Sequence, residues 1–138
     1  MKIHIVREGQ ETIKGFTKVL VKDGVINFND VSDNQSVFIL AGDVLDEFPI
    51  EKTQECLKLI LQKLRLGGKL VIGGTDIRLF CKSVINSLIT KENASNTIFN
   101  CKSMTDIETV LLLIRSAGLN VITTQTNGVH YEITAERG

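Results

Sequence analysis

The chain has 138 residues, 43% of them hydrophobic and one of them proline, enough for one sizeable core and too few for two, so a single domain over residues 1–138 is expected. Lysine plus arginine and aspartate plus glutamate number 16 each, so no net field draws the protein to nucleic acid or to an anionic membrane, and neither is expected as a partner. No apolar run approaches the roughly 20 residues that span a bilayer, polar residues rather than a leader follow the N-terminal methionine, and Cys56, Cys81 and Cys101 lack any C-x-x-C spacing, which reads as a cytoplasmic chain with reduced thiols.

Residues 2–6 read as a first strand, and residues 6–10 as the turn after it, with Gly9 as its only glycine. A second strand passes through Leu20 and ends at the turn Lys22-Asp-Gly24, after which residues 25–29 are a short strand or an extended loop. Residues 36–41, rich in Val, Phe and Ile, have the composition of a strand in a parallel sheet. An acidic loop runs to Pro49, where a helix begins. Leu57, Ile60, Leu61 and Leu64 recur at the spacing of one helical face, with Glu51 in the first turn and Lys63 and Arg65 in the last; Gly67-Gly68 is expected to end the helix before a strand at residues 69–72. Thr75 or Asp76 caps a further helix with Ile77, Phe80, Cys81, Val84, Ile85 and Leu88 on one face. Residues 90–102, polar and carrying three asparagines, read as a loop or irregular insertion. Thr105-x-x-Glu108 is a capping box for a helix using Ile107, Val110, Leu111 and Ile114 and closed by Gly118; residues 119–125 and 129–134 then form a hairpin about Thr126-Asn-Gly128.

Gly42-Asp-Val-Leu-Asp-Glu-Phe-Pro49 and Leu64-Arg-Leu-Gly-Gly-Lys-Leu-Val-Ile-Gly-Gly-Thr-Asp76 resemble the "SHVLEHFP" and "LKPGGKLVISVPD" stretches of class I S-adenosylmethionine-dependent methyltransferases, in particular the predicted methyltransferases found near glycan and lipopolysaccharide genes. Residues 103–121 and 14–19 resemble two further elements of that group. The resemblance implies an α/β, Rossmann-like fold: a mostly parallel sheet in the order 3-2-1-4-5-7-6 with a C-terminal antiparallel hairpin, in three α/β/α layers. It implies S-adenosylmethionine as cofactor and a small-molecule or glycan acceptor.

The chain departs from the group where the cofactor lies. Val6 and Glu8 stand where the group keeps glycines in its first turn, and Leu20 stands where it keeps an acid for the ribose hydroxyls. Asp30 is the residue left to meet the adenine, and Gly42 and Asp76 are the other candidates for the cofactor. Asp43 is the candidate base or contact to the cofactor amine, at the carboxyl end of the fourth strand, where open α/β sheets bind ligands. Duller roles stand beside these: Asp43, Asp46 and Glu47 as a solvated acidic loop at a helix start, Asp76 as a helix cap, and His4 and His130 as structural strand residues. No metal site is expected, since no third ligand joins the histidines in the sequence. Two readings stay open: a methyltransferase with a divergent cofactor turn, and a non-catalytic relative serving as a binding or oligomerisation module. Phe16, Phe28 and Phe99 have no evident burial in the pattern, so a homodimer is expected through the first and second strands or residues 90–102.

Overall fold

The computed structural model describes residues 1–138. The strands are β1 Lys2–Arg7, β2 Thr17–Lys22, β3 Val25–Ile26, β4 Ser36–Ala41, β5 Leu64–Thr75, β6 Leu119–Asn127 and β7 His130–Arg137; the helices are α1 Thr53–Lys63, α2 Ile77–Ile85, α3 Lys91–Asn100 and α4 Ile107–Ser116. All seven strands join one sheet in the order β3-β2-β1-β4-β5-β7-β6, the order the resemblance implies. β2, β1, β4 and β5 run parallel to one another, while β7 is antiparallel to both β5 and β6.

Period-two alternation sorts the strands into two faces. Ile3 and Ile5 of β1 point to the same side as Val19 and Val21, Ile39 and Ala41, Leu70 and Ile72, and Ile133 and Ala135. There they meet Leu57 and Ile60 of α1 and Val110 and Ile114 of α4 in a single cluster of 24 buried residues. Ile60, Val110 and Ile114 have no exposed surface, so truncating any of them to alanine opens a cavity costing about 2–5 kcal/mol. On the other face, over β1 and β4, lie His4, Val6, Phe38 and Leu40. The nine-residue β1–β2 connection, residues 8–16, is not helical. It is tied down instead by Ile13 N–H donating to His4 Nδ1 at 3.2 Å and by the Phe16 ring meeting Phe38 edge-on at 5.7 Å.

Several local expectations are corrected. α1 stops at Lys63 and β5 begins at Leu64, so Arg65 lies in the strand. Gly67-Gly68 is therefore not a helix cap: pairing of β4 with β5 jumps from Ser36↔Leu64 to Phe38↔Lys69, and Gly67, at φ +76°, lies in the bulge between. Residues 90–102 are not a loop. Thr90 caps α3 by accepting Asn93 N–H at 3.1 Å, a capping signal masked by the polarity of the helix. The α4 cap is Asp106 rather than Thr105, and it accepts from Thr109 N–H and Oγ1 at 3.2 and 2.7 Å. Residues 25–29 contribute only the two-residue β3, antiparallel to β2, because Asp23-Gly24 turns the chain straight back. At the far side of the sheet, pairing of β6 with β7 shifts between Val121 and Thr123, leaving Ile122 as a bulge.

Two of the three unexplained phenylalanines are covered: Phe28 is in the core and Phe16 is half-buried, whereas Phe99 is 86% exposed. No helix is long and apolar enough to cross a membrane.

Candidate functional site

β1, β4 and β5 end side by side, and β1 and β4 hand the chain to opposite directions of the sheet, β1 toward β2 and β4 toward β5. That divergence opens a crevice at their carboxyl ends, where ligands of open α/β sheets bind. After Ala41 the chain turns through Gly42 into a 3₁₀ turn, Val44–Glu47, anchored by buried Val44 and Leu45. Residues three apart eclipse one another in such a turn, so Asp43 and Asp46 project to the same side.

Asp46 is 5% exposed. Its Oδ1 accepts the Thr75 backbone N–H at 2.7 Å and its Oδ2 the Thr75 hydroxyl at 2.7 Å, with Cys101 Sγ 3.6 Å from Oδ2. Burial raises its pKa above the ordinary carboxylate value, the two Thr75 bonds oppose the rise, and the Asp43 charge adds to it. Burial likewise pushes the Cys101 thiol up. Asp43, more open, lies with Oδ1 3.2 Å from His130 Nδ1, the side chains being 36% and 52% exposed. A carboxylate at Nδ1 selects the tautomer with the proton on that nitrogen and leaves Nε2 as an acceptor.

Two cavities meet at this pair. One of about 190 Å³ is lined by Arg7, Asp43, Asp46, Thr75, Asn96, Thr97, Asn100, Cys101 and His130, the other, of about 330 Å³, by Gly42, Asp43, Gln125, Thr126, Asn127, His130, Tyr131 and Glu132. Together they make a polar basin. On the β1 side Arg7 reaches across to Glu47 at 3.5 Å, and Glu8 pairs with Lys22 at 3.6 Å.

Of the sequence candidates, Asp43 and Gly42 line the basin. Asp76 is 3% exposed and lines neither cavity: its Oδ1 accepts Leu79 N–H at 2.9 Å and its Oδ2 accepts Ile107 N–H at 3.0 Å, joining the starts of α2 and α4. Asp30 is exposed in the turn after β3 and lines neither cavity. His130, Asp46, Thr75 and Cys101 are not among the sequence candidates. The Asp43-x-x-Asp46 spacing is a visible signal once the 3₁₀ turn is known; His130 becomes visible only through the β5–β7 register, which sets Thr75 opposite it.

The chain resembles solved methyltransferase structures in fold. A SAM-dependent methyltransferase from Archaeoglobus fulgidus superposes with a TM-score of 0.62 at 14% identity, over 96% of this chain and 75% of that one. An O-methyltransferase family protein from Burkholderia thailandensis gives 0.62 at 15% identity, over 88% of this chain and 36% of that one. The chain has the methyltransferase fold. No protein-family model matches the sequence. Among curated proteins a probable cytosolic pyruvate kinase of Arabidopsis thaliana is 37% identical over 68 residues, and the chain spans only 14% of that enzyme's length.

The resemblance in sequence implies S-adenosylmethionine lying against glycine-rich backbone after β1, where a side chain would intrude, and meeting acids after the second and third strands. The residues present do not fit it in that manner. Arg7, the last residue of β1, pairs with Glu47 and Glu8 opens the turn beside Lys22, the β1–β2 connection offers no helix N-terminus, and Asp23 sits at a hairpin tip between two antiparallel strands.

Proposed function

We propose that this chain is a methyltransferase-like protein that binds a small, polar, hydroxyl-rich ligand of the glycan type in the basin at Asp43 and His130, without the S-adenosylmethionine cradle of the fold. The observation that carries the reading is the convergence of Asp43, Asp46, Thr75 and His130 where β4 and β5 end and β7 begins, with Arg7 at the end of β1 on the far wall. The surrounding side chains support it. The amides of Asn96, Asn100, Gln125 and Asn127 can both donate and accept hydrogen bonds, as recognition of hydroxyl groups demands. The Asp43–His130 pair adds an acceptor nitrogen to the same wall.

The reading is tested by titrating a panel of neutral and amino monosaccharides into isotopically labelled protein and following amide shifts, in parallel with calorimetric titration of S-adenosylmethionine and S-adenosylhomocysteine. Shifts at Thr75, Asn96, Asn100 and His130 without heat from the two cofactors are expected. Tight binding of either cofactor would overturn it in favour of the second reading, methyl transfer to such an acceptor. That second reading is favoured by the shared fold of the methyltransferase neighbours and by the open carboxyl ends of β4 and β5.

A further inference from the structure

We propose that the basin is a divalent-cation site, with Asp43, Asp46 and His130 as its protein ligands. The inference rests on the same basin being the place where ligand binds. One donor atom from each of the three residues lies within 4.8 Å of the other two, close to the separation of about 4 Å between opposite ligands around an ion with bonds near 2.0–2.1 Å. Two carboxylates and one imidazole are a donor set suited to Mn²⁺ or Zn²⁺. Asp46 keeps its bonds to Thr75 when it ligates, because Oδ1, which accepts only the Thr75 N–H, has a second lone pair.

The charge balance of the basin favours a cation there. The guanidinium that lines the basin, Arg7, is directed to Glu47 at 3.5 Å, so Asp43 and buried Asp46 face one another without a partner of opposite fixed charge.

The test uses the full chain and Mn²⁺ alone, an ion that discriminates against the thiols, followed by calorimetry and by the loss of the free-ion electron paramagnetic resonance signal. One ion per chain with micromolar affinity is expected. Asp43→Asn and His130→Gln, both at partly exposed side chains, should each weaken binding at least tenfold with circular dichroism unchanged. Asp33→Asn, at an exposed ion pair with Lys63, should leave it unchanged. Wild-type binding weaker than millimolar, or binding that survives both Asp43→Asn and His130→Gln, overturns the cation site. If sugar-induced amide shifts persist while Mn²⁺ does not bind, only the cation falls; if Mn²⁺ binds and no sugar shifts any amide, only the glycan reading falls.

Discussion

Both oxygens of Asp76 accept from backbone N–H groups at the starts of two different helices, from a position 3% exposed. Removing them in Asp76→Ala leaves both donors without partners, so a loss of roughly 2–4 kcal/mol is expected in urea unfolding, with Asp76→Asn losing about half as much. Asp46 behaves differently, because the fold raises its pKa through burial. A carboxyl raised in the folded state contributes stability below its unfolded value near 3.8, and that contribution is lost as pH rises through the folded value. Asp46→Asn escapes this loss. Its stability relative to wild type should therefore climb as pH rises from 3.8, and a difference that shrinks over that interval would contradict the assignment. The thiols also divide by environment: Cys81 is exposed, Cys101 is intermediate, and the Cys56 thiol, buried, is pushed up to about 12. Reaction with a disulfide reagent should go first at Cys81 and reach Cys56 only on unfolding.

Between residues, the short connections decide what the fold offers a ligand. Asp23 and Gly24 both take positive φ, +53° and +73°, the pattern of a tight hairpin turn. This is why β3 folds back on β2 instead of leaving through a helix. Gly24→Ala should cost about 1 kcal/mol. The Asp-Gly signal was visible in the sequence, as were β1, β4, α1 and the terminal hairpin, because each combines a clear apolar period with a turn residue. α3 was not visible, since no residue of it is buried, and a helix without a packed face leaves no period to read. The same fact makes a dynamic prediction: amides of α3 should exchange with solvent far faster than those of α1 or α4. Arg137 shows a converse case, a terminal residue with a structural task. Its guanidinium donates to the Leu61 and Leu64 carbonyls at the end of α1 and to Asn34 Oδ1. Arg137→Ala should cost about 1–2 kcal/mol, with α1 amides losing protection first.

Across the whole molecule, the site was only half legible, for a reason of distance along the chain. Asp43 stood out because it follows a strand of unmistakable composition, whereas its partner His130 is 87 positions away and reaches it only because β7 inserts beside β5. The apolar surface is distributed unevenly too. Ile85, Leu88 and Phe99, at 80%, 72% and 86% exposure, flank the poorly packed α2–α3 region, where self-association is expected. Sedimentation should show concentration-dependent dimer that Phe99→Asp abolishes, and a monomer at high micromolar concentration would exclude it. The bulge at Ile122 has a different consequence. β6 is nine residues long, Leu119–Asn127, and its outer side carries a row of unpaired backbone groups that another chain can copy. The shift between Val121 and Thr123 breaks that row and twists the strand, while the opposite rim, β3, is only two residues long. Neither rim then offers a flat template for fibril growth. Deleting Ile122 restores an uninterrupted strand, and the variant should nucleate thioflavin-binding fibrils at concentrations where the natural chain stays dispersed.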